Sequence, residues 1–121
     1  MREFADLLSN LVIATDGLFA AAIGGIDGLL IESFNSSAKV NLEGAVAEHA
    51  ALLKSIRNSY GVAMGSGDVE EWLVLTGDLT AHVKPVTSDY FLLSIGGKDV
   101  NLGRLRLNAA RTIKDLKEVL T

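Results

Sequence analysis

Three apolar segments follow one another between residues 70 and 96, and the connections between them are too short to contain a helix. Turn-forming residues such as Gly77-Asp78 separate them. Because strands joined by such short turns must run in opposite directions, this half of the chain predicts an antiparallel sheet. The three segments are EEWLVLTG (70–77), LTAHVKPV (79–86) and YFLLSIG (90–96).

These strands carry apolar residues in both phases of the strand repeat, as with Leu73 and Leu75 on one side and Trp72 and Val74 on the other. A sheet that is apolar on both faces needs cover on both faces. Amphipathic helices are the usual cover, so the pattern predicts helices packed on each side of one sheet.

Helical spacing and capping residues supply those helices, and two further apolar runs supply strands. The resulting order α-β-β-α-β-β-β-α predicts an α+β fold, in which a five-stranded antiparallel sheet is sandwiched by helices within a single domain, 1–121. The elements outside the three strands are a helix at 2–14 that ends before Gly17, strands at 18–23 and 29–34, a helix from its cap Asn41 to about Tyr60 that Gly61 ends, and a last helix capped by Asn101.

The cluster GGIDG (24–28) raises the question of a phosphate-binding loop. A dinucleotide fingerprint requires G-x-G-x-x-G between a strand and a helix, and a P-loop requires Gly-Lys-Ser/Thr after its glycines. Here the spacing is G-G-x-x-G, and the following residues, LLIESF, form a strand. We therefore interpret Ile26-Asp27-Gly28 as a hairpin turn.

The side chains available for catalysis or metal binding are few. The chain has no cysteine, which excludes disulfides, thiolate chemistry and cysteine-ligated metals. Its two histidines, His49 and His82, lie far apart in sequence without metal-ligand spacing, and no serine lies in G-x-S-x-G. We expect His49 in the core or an interface and His82 exposed or semi-buried. The sequence predicts no enzyme, no cofactor and no metal.

Charge and hydropathy restrict the partners. The net charge of −4 argues against nucleic acid, although residues 101–121 hold five cations against two acids. That basic helix is interpreted as a solvated face, with an acidic partner or an anionic membrane as the alternatives. No segment approaches the roughly 18 consecutive apolar residues of a membrane span. We expect a cytoplasmic protein with no integral membrane association.

The second predicted helix has an unusual back face. Its apolar side carries seven residues at steps of three or four: Leu42, Ala45, Val46, His49, Leu53, Ile56 and Tyr60. A solvated back face would normally hold long charged side chains. Small residues stand there instead (Gly44, Ala47, Ala51 and Ser55), so another backbone could approach closely.

Taken together, these segments resemble the roadblock / dynein light chain family, and within it proteins of the MglB type. The resemblance covers nearly the whole chain, and the order and spacing of its segments carry it. The matching segments are ATDGLFAAAIGGIDGLLIESF (14–34), EGAVAEHAALLKSIRNSYG (43–61), EEWLVLTGD (70–78) and NLGRLRLNAARTIKDL (101–116).

The resemblance implies a profilin- or longin-like roadblock fold, with helix two on one face of the sheet and helices one and three on the other. It also implies a homodimer in which the second helices align and the sheet extends across the interface. Proteins of the MglB type bind a Ras-like small GTPase of the MglA type and can stimulate its hydrolysis, whereas other roadblock proteins only scaffold.

The leading hypothesis is therefore a non-enzymatic homodimer that binds and regulates a small GTPase, by favouring a switch-loop arrangement and without an arginine finger from Arg57 or Arg104. A roadblock scaffold with no effect on hydrolysis is the main alternative, and an enzyme or small-molecule sensor in a related fold is a third. The residues predicted for the dimer or partner interface are Gly44, Ala47, Glu48, Ala51, Ser55, Asn58, Glu71 and Trp72.

Overall fold

A computed structural model describes residues 2–120, and its three α-helices and five strands follow the order predicted from the sequence. Element boundaries differ from the predicted ones by a few residues. The elements are α1 (Arg2–Ala14), β1 (Leu18–Gly25), β2 (Leu30–Asn35), α2 (Leu42–Asn58), a π-helical turn (Ser59–Ala63), β3 (Trp72–Leu75), β4 (Leu79–Pro85), β5 (Tyr90–Gly97) and α3 (Leu102–Leu120).

The five strands form one sheet in the order β2-β1-β5-β4-β3, and every neighbouring pair is antiparallel. Two of the three inner strands, β1 and β5, are buried along almost their whole length. The strands at the two edges, β2 and β3, have no buried residue. The predicted antiparallel sheet is confirmed, and its two edges belong to different halves of the chain.

The helices cover the two faces as predicted, with α1 and α3 on one face and α2 on the other. Alternation along β1 divides the core, because Ala21 and Ile23 face α1 and α3 while Ala20 and Ala22 face α2. The alanines of β1 therefore belong to a central strand. Leucines and an isoleucine fill the space under α1 and α3, including Leu8, Leu92, Leu105, Ile113 and Leu116. Val46, Leu53, Val83, Phe91 and Leu93 do so under α2.

Two asparagines begin the longer helices, as the sequence predicts. Oδ1 of Asn41 accepts a hydrogen bond from the backbone N–H of Gly44 (3.2 Å), and Oδ1 of Asn101 accepts one from Arg104 (2.9 Å). Such caps satisfy backbone donors that have no partner within the helix. None of the described helices is both long and apolar enough to cross a membrane.

The glycine cluster forms the turn of the β1–β2 hairpin, with Gly28 at a φ of +91°. Asp27 supports the turn because its Oδ1 accepts the backbone N–H of Leu29 (3.2 Å). Gly24 has another role: a Cβ there would stand 2.6 Å from the ring of Phe91 and 2.7 Å from Val46. Gly24 thus lets α2 approach the sheet closely.

Two predictions about local structure are wrong. Gly61 does not end the second helix, because the chain continues past Asn58 as a π-helical turn, and the glycine with a positive φ in this segment is Gly65. The third strand, β3, is not covered on both faces, since Leu73, Val74 and Leu75 are exposed where the strand lies at the sheet edge beyond β4. Periodicity alone cannot distinguish an apolar strand that helices cover from one that lies at an edge.

Candidate interaction surface

The outward face of α2 holds most of the residues predicted for an interface. Ala47, Glu48, Ala51, Ser55 and Asn58 are all exposed. Three of these five side chains are no larger than a hydroxymethyl group, so they shield little of the helix backbone. The structure thus places the predicted small-residue stripe on the protein surface, where a second helix could lie close to α2.

Two further residues of α2, Gly44 and Leu52, lie beside these exposed side chains. Gly44 lies in the first turn of α2 and is only half-buried, and its backbone N–H is bonded to the cap Asn41. Leu52 is an exposed leucine beside the small residues, and sequence reasoning missed it. A helical projection places it about 100° from Ala51, at the margin of the exposed side.

The second uncovered region is the edge strand β3. Its last three side chains are all apolar and exposed, at 38% for Leu73, 41% for Val74 and 60% for Leu75. The strand is paired on one side with β4, and no sixth strand pairs with its other side in the described chain. Unpaired backbone groups flanked by apolar side chains are a template for adding a strand.

Trp72, at the start of β3, lies in a different environment from the rest of the strand. Its ring stacks on His49 of α2, with centroids 6.3 Å apart and planes at 13°. Both residues are partly buried, and Nδ1 of His49 is 2.7 Å from the carbonyl oxygen of Ala45. The predicted interface residue Trp72 therefore joins α2 to the sheet, with only part of its surface available to a partner.

Glu71, predicted as an interface residue, is half-buried and joins three elements. Its Oε1 lies 2.8 Å from Nε2 of His82 on β4, and both of its oxygens accept hydrogen bonds from the guanidinium of Arg106 on α3. The Arg106 guanidinium, followed by the His82 imidazole, lowers the pKa of Glu71 from 4.5 to about 2. We call these three residues the Glu71 clamp.

His82 is only 1% exposed, so the prediction of an exposed or semi-buried histidine is wrong. The alternation along β4 places it on the face that α3 covers. It also lies directly opposite Ser94 in the β4–β5 pairing. Sequence reasoning found no serine linked to a histidine, because this pair depends on strand order and register.

Glu71, His82 and Ser94 have the residue types of a hydrolytic catalytic triad. The burial of Ser94 argues against such a role. Ser94 is completely buried, and its Oγ has no hydrogen-bond partner within residues 2–120. A substrate cannot reach this hydroxyl in the structure, and a catalytic serine must contact the substrate. We assign the three residues a structural role.

Arg57 at the end of α2 is also engaged within the chain. Its Nε donates to Oδ1 of Asp68 (2.9 Å), and Nη1 donates to the carbonyl oxygen of Ser88 (3.3 Å). These bonds hold the segment between the π-helical turn and β3. In the part of the chain that is described, no group of three or more His, Asp or Glu side chains could hold a metal ion.

Comparison with solved structures identifies the fold. A Roadblock/LC7 domain from Streptomyces avermitilis matches with a TM-score of 0.87 and 22% identity, over 96% of each chain. The chain has a roadblock fold. Myxococcus xanthus MglB also matches, with a TM-score of 0.87 and 14% identity over 98% of this chain and 94% of that one. MglC from the same organism is 29% identical over 96% of this chain and 98% of that one, with a TM-score of 0.68.

Comparison by sequence, in contrast, finds no match among protein-family models or curated proteins. This chain is also similar to profilin II of Acanthamoeba castellanii, with a TM-score of 0.65 and 14% identity. The predicted profilin-like roadblock fold is thus confirmed. The predicted resemblance to roadblock and MglB proteins agrees with the structural neighbours.

Proposed function

We propose that this chain is a roadblock-family protein of the MglB type, which forms a homodimer and regulates a Ras-like small GTPase. The observation that carries the proposal is the pair of uncovered surfaces, the small-residue face of α2 and the apolar edge of β3. Similarity to MglB over almost the whole chain supports it. The class of partner, a Ras-like small GTPase, rests on the resemblance to MglB-type proteins alone.

The homodimer is proposed to form through β3. Two antiparallel β3 strands related by a two-fold axis would extend the five-stranded sheet to ten strands, and Leu73, Val74 and Leu75 would each gain cover from the partner copy. Pairing would also satisfy the outward backbone groups of the edge. The aligned α2 helices would then give the GTPase a continuous surface of small residues.

Regulation is proposed to act on the conformation of the GTPase. Arg57 is bonded to Asp68 and to the Ser88 carbonyl, and Arg106 is bonded to Glu71. Neither guanidinium is therefore free to enter a partner's active site as a finger without breaking these bonds. A dimer that binds one arrangement of the switch loops more tightly would shift the equilibrium toward that arrangement by up to the ratio of the two affinities. The phosphates stay with the GTPase, and this chain acts in the cytoplasm without a nucleotide of its own.

The direct test mixes the purified protein with Ras-like GTPases of its own genome and measures complex stoichiometry and GTP hydrolysis. Ala51→Arg should abolish dimerisation or GTPase binding without unfolding the protein, because Ala51 is exposed and the arginine would fill the expected contact. Ala110→Arg, at an exposed position of α3, is the matched control. Unchanged sedimentation and GTPase binding of the Ala51 variant would refute the assigned surface.

Two further outcomes divide the alternatives. A stable complex that leaves hydrolysis unchanged would replace the regulator with a scaffold. Micromolar binding of GTP or GDP to the isolated protein, measured by calorimetry, would contradict the view that this chain acts only through a partner.

A further inference from the structure

A groove of about 280 Å³ lies between the first turns of α3 and the strands β3 and β4. It is on the opposite face of the sheet from α2, and the proposed GTPase surface does not include it. Apolar side chains form most of its wall, while the Glu71 clamp forms its polar end. The lining residues are Glu71, Trp72, Leu73, His82, Leu102, Leu105 and Arg106.

Arg106 is the group in this groove that remains able to recognise a ligand. Oε1 of Glu71 already accepts two hydrogen bonds, one from Nε of Arg106 and one from Nε2 of His82. Arg106 gives Nε and Nη2 to Glu71, and its Nη1 has no hydrogen-bond partner within residues 2–120. The side chain is 62% exposed and lines the groove, so the two N–H groups of Nη1 are available to a ligand.

The groove also has an unmet hydrogen bond in its wall. His82 lines the groove and is 1% exposed, yet its Nδ1 has no partner in the described chain. A buried polar atom without a partner is costly, so a ligand or water that reached Nδ1 would stabilise this part of the groove.

We propose that this groove binds a small amphipathic carboxylic acid, with the carboxylate on Nη1 of Arg106 and an alkyl or aryl body against Leu102 and Leu105 of α3. Charge complementarity selects an acid, because the available polar group at the mouth is a guanidinium and α3 carries further cations. The volume is near the lower end of small-ligand pockets, which suits a compact ligand.

Calorimetry, rather than tryptophan fluorescence, provides the measurement, because the ring of Trp72 stacks on His49 of α2, on the other face of the sheet. Titration with octanoate should give a saturable binding curve, whereas 1-octanol, of the same chain length without the charge, should bind at least about tenfold more weakly. A linear response, or equal responses to acid and alcohol, would overturn the proposal.

Substitutions in and beside the groove test whether octanoate binds there. Arg106→Gln should weaken octanoate binding about tenfold or more, whereas Arg104→Gln removes the same charge from a residue that does not line the groove and should leave binding unchanged. Leu102→Phe keeps every charge and narrows the groove, so it too should weaken binding. Octanoate binding that neither groove variant weakens would place the acid elsewhere, as in the cavity beside Tyr60 and Val69, and would refute the proposal.

Discussion

The two edges of the sheet, β2 and β3, differ in how they are protected. Helices α1 and α2 both pack against β2, and a bulge interrupts its pairing with β1 next to Ile31. Polar residues, including Glu32 and Ser33, occupy positions along it. In contrast, β3 is four residues long, ends in exposed Leu73, Val74 and Leu75, and pairs only with β4.

The difference shows which edge is open to another chain. Bulges, charged side chains and helical cover are the devices by which proteins prevent unwanted strand addition. The edge β2 has such protection, and the end of β3 has none. We infer that an unprotected apolar edge is kept because it has a partner, which in the proposed function is a second copy of β3.

The largest expected effect comes from a lysine on the open edge. Val74→Lys would place an ammonium group against its own copy or against apolar side chains in a β3–β3 interface. Burial of an unpaired charge costs about 3 kcal/mol or more, so dimerisation should weaken more than about a hundredfold. Sedimentation equilibrium over a range of protein concentrations measures this change.

Ile31→Lys on β2 is the matched control, because Ile31 and Val74 are both β-branched and both 41% exposed. It should leave the dimerisation constant unchanged. Equal weakening by the two variants would mean that the edges do not differ, and a wild-type protein that stays monomeric at high concentration would contradict the homodimer.

Much of the fold could be predicted because its signals are local. Asn41 and Asn101 cap helices through hydrogen bonds to residues three positions away, and the β1–β2 turn is stabilised by contacts among residues 25–29. Such signals need no knowledge of the tertiary fold. The same local reasoning fails for β3, since apolar residues in both phases are expected for a buried strand and for an interface strand alike.

The Glu71 clamp could not be predicted from the sequence. Glu71 and Arg106 are 35 residues apart, and their contact requires that α3 lie over β4. The burial of His82 and its position opposite Ser94 likewise depend on β4 lying beside β5 in one particular register. Periodicity places His82 on a strand face but does not say which helix covers that face.

The second prediction compares the hairpins that end at the two edges. Gly24→Ala should reduce the free energy of unfolding by about 1–3 kcal/mol, because the new methyl group would overlap Phe91 and Val46 under α2. Gly77→Ala, in the β3–β4 turn, meets no atom within 4 Å and should change it by less than about 0.5 kcal/mol. Urea denaturation measures both, and equal losses would contradict the tight packing beside β1 and β2.

The smallest expected effect concerns stability and the Glu71 carboxylate, which lies just before β3. The pKa of Glu71 falls from 4.5 to about 2 on folding, so its contribution to stability is complete above pH 4.5 and is lost as the pH drops toward 2. Since Arg106 is largely exposed, solvent screening limits that contribution to about 1 kcal/mol or less.

Glu71→Gln should therefore destabilise the protein at neutral pH and flatten the stability curve between pH 4.5 and 2, which denaturant titrations at several pH values measure. Glu70→Gln changes the adjacent, exposed carboxylate and should leave both features unchanged. A wild-type curve that is already flat between pH 4.5 and 2 would show that the clamp does not stabilise the fold.

The most direct test of the open edge is hydrogen exchange of the backbone amides of β3 and β2 at low and high protein concentration. Pairing of two β3 strands predicts that the outward amides of β3 become protected as the concentration rises, while the amides of β2 exchange at a constant rate. Protection that grows on β2, or β3 amides that exchange equally fast at every concentration, would contradict the assignment of β3 as the pairing edge.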